Sequence, residues 1–272
     1  MLTSKGKIFR WLKVLLFVYA TLGLLLYYFQ EKILFHPVPL ATTDSFSFTA
    51  PHKEINIVYN ATTTFNFIEF TPPDSVAKKG IVIYFHGNRE NVNRYASFAE
   101  NFTKKGYVVL MPDYPGFGKS IGIISEEILY EEALQSYTLA KSNFAADSII
   151  IYGKSLGTGL ASYVASRKNC QQLILETPYK SMTSIFGRYG FMYPLNSMLH
   201  YKLPTIDYLK NVVAKVTIFQ GTNDWVVPYS NAIELKTVLK PKDEFVTIKD
   251  AEHNNINSFD VYHKKLDSLL SN

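Results

Sequence analysis

Six short, almost uninterrupted apolar runs constrain this chain more than any other feature. They are Ile81–Phe85, Tyr107–Met111, Ile149–Tyr152, Leu173–Leu175, Val216–Phe219 and Phe245–Ile248. Runs of this length suit strands buried on both faces, the condition of a parallel sheet covered by helices. Helical spacing fills the intervals near 92–105, 125–143, 156–168, 229–239 and 257–270. Two earlier stretches, near Ile55–Tyr59 and Thr64–Phe70, alternate in polarity and read as edge strands of a hairpin. Strand alternating with helix in this way predicts an open, doubly wound α/β sheet. Ligands of such sheets bind beyond the carboxyl ends of the strands, so chemistry is sought there.

The chain has 272 residues, and 47% of them are hydrophobic. Without its N-terminal tail it has the length of one large domain. The net charge of +5 is uneven: Lys5, Lys7, Arg10 and Lys13 precede an apolar segment, and no acidic residue comes before Glu31. The remainder carries 24 basic and 23 acidic side chains, which speaks against a nucleic-acid surface. Cys170 is the single cysteine, so no intramolecular disulfide forms; its polar surroundings make it an ordinary small side chain rather than a nucleophile.

Val14 to Phe29 runs for sixteen residues without a charge. Trp11 and Leu12, with Lys13 snorkelling to the interface, extend it to the length of a membrane span. The competing reading is a cleaved signal peptide, but Tyr27, Tyr28, Phe29 and Gln30 stand where a small-residue cleavage site belongs. The expectation is a membrane anchor over residues 1–30, a juxtamembrane linker over 31–53 containing Pro37, Pro39 and Pro51, and one domain over 54–272. The basic flank predicts a cytoplasmic N-terminus with the domain on the non-cytoplasmic side, which in a bacterium is the periplasmic face of the inner membrane.

Five strand ends carry candidate chemistry. After Ile149–Tyr152 comes Gly153-Lys154-Ser155-Leu156-Gly157, a G-x-S-x-G pattern between a strand and a helix. A serine on so sharp a turn leaves no room for Cβ atoms at either glycine. A nucleophile of this type needs an acid and then a base later in the chain. Asp224 follows Val216–Phe219, and His253 follows Phe245–Ile248. His253 would take the Ser155 proton, and Asp224 would hold the tautomer and stabilise the imidazolium. Glu176 is a rival acid after its own strand, whereas Asp250 and Glu252 read as turn residues. The His86-Gly87-Asn88-Arg89 loop follows Ile81–Phe85, where one oxyanion donor belongs. The backbone N–H groups of Asn88 and Leu156 are the assigned donors, and His86 shapes the loop. No Cys/His pair at ligand spacing, H-E-x-x-H, G-x-G-x-x-G or P-loop is present, so neither a metal nor a cofactor is expected.

These residues resemble the Bem46-like α/β-hydrolases, relatives of the membrane-associated ABHD proteins. The resemblance runs through Gln30-Glu31-Lys32-Ile33-Leu34-Phe35-His36-Pro37, His86-Gly87-Asn88, Asp113-Tyr114-Pro115-Gly116-Phe117-Gly118 and Gly153-Lys154-Ser155-Leu156-Gly157. It continues through Glu176-Thr177-Pro178-Tyr179, Gly221-Thr222-Asn223-Asp224 and His253-Asn254. It implies a mostly parallel eight-stranded sheet flanked by helices, and a Ser-Asp-His hydrolase of esters or thioesters that needs no cofactor. One departure is Ala251-Glu252, where a glycine often precedes the histidine.

Residues 177–214 are too long for a plain connection and hold Phe186, Tyr189, Phe191, Met192, Tyr193, Leu195, Met198 and Leu199. They form either a small lid that receives an acyl chain or a cover for the sheet. The expected partners are a membrane, through the N-terminal helix, and a small or lipid-like acyl ester; no nucleic acid is expected. A serine peptidase, an acyltransferase and a non-enzymatic membrane scaffold remain the alternative functions.

Overall fold

The computed structural model describes residues 4–46, 48–190 and 192–271. Residues 1–3 of the expected anchor and Phe191 of the insert lie outside this range, and the Tyr189 side chain is likewise undescribed.

Eight strands form one sheet: β1 (His52–Asn60), β2 (Thr63–Phe70), β3 (Gly80–Phe85), β4 (Tyr107–Asp113), β5 (Ile149–Lys154), β6 (Gln172–Glu176), β7 (Lys215–Gly221) and β8 (Glu244–Ile248). Their spatial order is β1-β2-β4-β3-β5-β6-β7-β8. The β1–β2 and β2–β4 pairs are antiparallel, and all others are parallel. Every residue of β3, β4, β5 and β6 is buried, as expected for continuous apolar runs sandwiched between helices. Strand order reverses between β3 and β5: the chain leaves β3 toward β4 on one side and returns to β5 on the other. The loops after β3 and β5 therefore splay apart at a topological switch point, where a crevice must open.

Five longer helices accompany the sheet: α1 (Ser4–Leu34), α2 (Glu126–Asn143), α3 (Gly157–Ala165), α4 (Met182–Gly190) and α5 (Asp260–Leu270). Ser125 caps α2 by accepting from the Ile128 N–H at 3.2 Å, with Glu126 and Glu127 in the first turn where the helix dipole favours them. Leu129 and Ala133 of α2 join Leu160 and Val164 of α3 in the core on one face of the sheet. Tyr262 and Leu266 of α5 join Val92, Tyr95 and Phe102 on the other. The stretch expected as one helix over 92–105 is three short pieces, Val92–Tyr95, Ala96–Ala99 and Glu100–Thr103, the middle one 3-10. Val92, Tyr95, Ala99 and Phe102 still face the sheet, so the apolar period is right while the pitch is not. The same tightening replaces most of the helix expected over 229–239, where Tyr229–Ala232 passes into the 3-10 turn Ile233–Val238.

Helix α1 continues to Leu34, and the segment behind it is fastened rather than loose. Leu34 and Phe35 are buried. The Phe35 ring meets Tyr201 edge-on at 4.8 Å and Phe117 at 6.4 Å. His36–Pro37 pairs in parallel with Arg89–Glu90, just past β3. The insert over 177–214 holds α4 and two single turns, Leu195–Met198 and Thr205–Leu209. It packs along α1: Tyr193 stacks on Tyr19 at 4.6 Å, and Gln30 donates to the Met198 carbonyl at 3.1 Å.

Candidate active site

Ser155 follows β5 on a backbone with φ of 50°, a conformation that a side chain rarely adopts. The turn is enforced on both sides. A Cβ on Gly153 would lie 2.6 Å from the Gly157 carbonyl oxygen and 2.7 Å from Thr158 Cα. A Cβ on Gly157 would overlap the Phe85 carbonyl of neighbouring β3. The Ser155 N–H donates to the Glu176 carbonyl at 2.9 Å, and α3 begins two residues later. The hydroxyl is thus lifted out of the sheet at the N-terminal end of a helix.

Ser155 Oγ lies 2.8 Å from His253 Nε2, and His253 Nδ1 lies 2.8 Å from Asp224 Oδ2. Both partners are buried, while Ser155 is half-exposed. Asp224 Oδ1 accepts from the N–H groups of Val226 at 2.9 Å and Val227 at 2.8 Å, which leaves Oδ2 for the histidine. Gln220 Nε2 adds a donor to Oδ2 at 3.2 Å and to the Val227 carbonyl at 3.0 Å. With Asp224 as pure acceptor, His253 Nδ1 carries a proton, and Nε2 is free to take one from the serine.

The loop after β3 reaches the same point: a Cβ on Gly87 would stand 3.7 Å from Ser155 Cβ. His86, fully buried, faces the Gly87 carbonyl through Nδ1 at 2.7 Å. That carbonyl belongs to the same peptide unit as the Asn88 N–H and points the opposite way, so the ring fixes the direction of the donor. Asn88 is held again from behind: its amide donates to the Leu34 carbonyl at 2.7 Å, and its own carbonyl accepts from the His36 N–H at 2.9 Å. Among the described residues, no loop carbonyl takes the N–H groups of Asn88 and Leu156. Asp113 accepts from the Val92 N–H at 2.8 Å, and the Tyr114 hydroxyl donates to the His86 carbonyl at 2.7 Å. The Gly-rich loop after β4 therefore supports the His86 loop from behind.

An open cleft of about 290 Å³ lies over Ser155, walled by Asn88, Arg89, Arg94, Lys154, Trp225 and His253 among others. Among the described residues, none of 177–214 lines it. Glu176, the rival acid, does not approach the histidine: it is buried, paired with Lys154 and hydrogen-bonded by the Tyr152 hydroxyl. Asp250 and Glu252 are exposed, and their N–H groups bond Thr222 Oγ1 and Asn255 Oδ1, as turn residues do. Sequence reasoning passed over Gln220 and the Lys154–Glu176 pair. The signal for the pair was a lysine and a glutamate at the ends of adjacent apolar strands, where parallel register sets them side by side.

Residues 76–206 match the model of the family described as serine aminopeptidase, S33. The chain is 28% identical over 193 residues to the α/β hydrolase domain-containing protein 17C of Xenopus tropicalis, covering 70% of this chain and 61% of that protein. The human protein 17C is 26% identical, with 70% and 57% covered. The match thus spans about 60% of the length of these relatives. An esterase of Pyrococcus furiosus superposes with a TM-score of 0.67 at 17% identity, covering 87% of this chain and 96% of that one. This chain has the α/β-hydrolase fold. Within this fold, the Ser155 turn and the His86 loop sit at the switch point that the strand order creates. Est1E of Butyrivibrio proteoclasticus shows the same fold with a TM-score of 0.64 at 16% identity, covering 80% of this chain and 99% of its own.

Proposed function

We propose that this hydrolase is membrane-anchored and cleaves ester or thioester bonds through an acyl-enzyme on Ser155. The observation that carries the reading is the line from Ser155 Oγ through His253 to Asp224, with both links at 2.8 Å. As Oγ attacks the acyl carbonyl, His253 Nε2 takes its proton. The carbonyl oxygen becomes an oxyanion and receives the N–H groups of Asn88 and Leu156, each worth about 3 kcal/mol in such a site. Collapse breaks the bond to the alcohol or thiol, which leaves with the proton from His253. Water then attacks the acyl-serine and passes a proton to His253, which returns it to Ser155 as the acid departs. Asp224 stays ionised and stabilises the imidazolium in both halves.

The anchor reading rests on the uncharged stretch of α1 and the basic residues before it, which support a cytoplasmic N-terminus. Its junction with the His86 loop and the insert favours a retained helix over a removed leader. Lipid-like acyl groups suit an enzyme held at a membrane, and an acyl-length series in kcat/KM tests that preference. The family description favours a second reading, in which the leaving group is an amine. Matched p-nitrophenyl esters and aminoacyl p-nitroanilides separate the two.

The deciding experiment is labelling by a fluorophosphonate. The wild type is expected to label covalently and Ser155→Ala not at all. Equal labelling of the two would place the nucleophile elsewhere, and an unreactive, well-folded wild type would end the acyl-enzyme reading.

A further inference from the structure

The described residues of 177–214 do not line the cleft, yet the tip of this insert is bound tightly to α1. We propose that this tip, the turn at Met192–Tyr193 and its return through Leu195–Met198, is a second membrane element that dips into the same lipid leaflet as the adjoining half of α1. The inference rests on the reading of α1 as a span.

Geometry requires it. Glu31 is the first charged residue after Lys13, and it marks the aqueous end of the uncharged stretch. Tyr19 lies twelve residues before Glu31, which is about 18 Å along a helix axis. The uncharged stretch as a whole is about 25 Å long, against about 30 Å of hydrocarbon in a bilayer. Tyr193 stacks on Tyr19 at 4.6 Å, and its ring lies where a Cβ on Gly23 would come within 2.9 Å. A helix cannot be immersed without whatever is fixed to its side. Any bilayer that takes up Val14–Phe29 therefore takes up Met192 and Tyr193, well below its surface.

The chemistry of the tip suits lipid. No Asp, Glu, Lys or Arg occurs from Tyr189 to Tyr201; Arg188 and Lys202 bracket the stretch in the sequence. Met192 is 65% exposed, so its side chain is free to meet lipid. Irregular backbone survives in hydrocarbon only if its polar groups are satisfied within the protein. Here the polar side chains of α1 do this. The Tyr19 hydroxyl donates to the Met192 carbonyl at 2.7 Å, and Tyr193 returns a bond to the Tyr19 carbonyl at 3.0 Å. Gln30 bridges two more groups, donating to the Met198 carbonyl and accepting from the His200 N–H at 2.8 Å. Gly23 at the crossing permits the close approach, as small residues do between membrane helices. The exposed polar pair Asn196 and Ser197 precedes Met198, which Gln30 holds one residue from Glu31 and thus near the aqueous boundary.

The test places a nitrobenzoxadiazole fluorophore on single cysteines in the full-length Cys170→Ser background, reconstituted in phosphatidylcholine vesicles. The positions are Met192→Cys, Leu16→Cys in α1 and Val58→Cys on the outer strand β1. Lipids carrying a nitroxide in the acyl chain are expected to quench positions 192 and 16, and aqueous iodide to quench only 58. Gly23→Leu, which pushes the Tyr193 ring away, is expected to weaken lipid quenching at 192 and leave it at 16. Quenching at 16 with none at 192 would overturn the dip and leave the anchor standing. If neither position is quenched by lipid, the anchor reading fails and this proposal fails with it.

Discussion

Asn88 has three polar groups besides its N–H, and two of them are bonded to the segment that leaves α1. Removing the amide frees the loop on one side without touching the donor itself. Asn88→Ala is therefore expected to lower kcat of a chromogenic ester by about 10- to 100-fold, since a small misplacement near the chemistry costs that much. KM and melting temperature should change little, and fluorophosphonate labelling should slow in parallel. An unchanged kcat would show that the His86 ring and the His36 N–H hold the peptide without the amide. At Lys154 the cost falls on stability. Its ammonium and the Glu176 carboxylate are both taken out of water. Lys154→Met leaves that carboxylate without its partner, a loss of about 3–5 kcal/mol. The double variant Lys154→Met/Glu176→Gln should recover much of it in a denaturant titration. If the double variant is no better than the single, the pair is not what holds the two strand ends. The meeting of Ser155, Asp224 and His253 was legible in the sequence because each follows an apolar run, and parallel strands bring such ends together. Lys154 and Glu176 were legible only as letters in a motif, since nothing local says that a charged side chain after a buried strand will turn inward.

Among the elements, the eight strands were plain from their composition, and β3 to β6 came within a residue or two of their runs. The 3-10 turns after Val92–Tyr95 and Tyr229–Ala232 were not, because apolar spacing reports which residues face the sheet and not the pitch that delivers them. The segment from Leu34 to Leu40 was the larger omission. Its prolines suggest a loose connection, and two residues of parallel pairing have no periodicity to detect. Yet the Val38 N–H donates to the Glu90 carbonyl at 3.0 Å, and Asn91 Nδ2 donates to the Val38 carbonyl at 2.8 Å. Asn91 also accepts from the Asn93 N–H at 2.9 Å, capping the next turn. Asn91→Ala should therefore raise the hydrogen-exchange rate of residues 88–93 while leaving α5 protected. Uniform loosening would instead indicate a global loss of stability.

For the molecule as a whole, stability should depend on pH through Glu132 of α2. Burial, and then the nearby Asp113 carboxylate, holds its carboxyl well above the usual carboxylate range, so the folded protein keeps it protonated. In the unfolded chain it ionises in the ordinary range. The stability it contributes is thus fully present below the unfolded pKa and is lost as pH rises toward the folded one. Glu132→Gln should melt close to the wild type in mild acid and above it in alkali. A difference that does not vary with pH would mean that Glu132 is ionised in the native protein. Cys170 has its thiol pushed up to about 12 by burial, so it should react with a maleimide only when the chain unfolds, a convenient reporter of the same transition. Labelling as fast in the folded protein as in denaturant would contradict this.

The bonds between Asn88, His36 and Leu34 also bear on how such a chain could be rebuilt or inherited. A gene fusion that joined a foreign anchor at residue 30 would carry the loop support along with the enzyme, whereas one joined at residue 52, where β1 begins, would leave it behind. The boundary that matters for exchange of modules lies within the helix rather than after it.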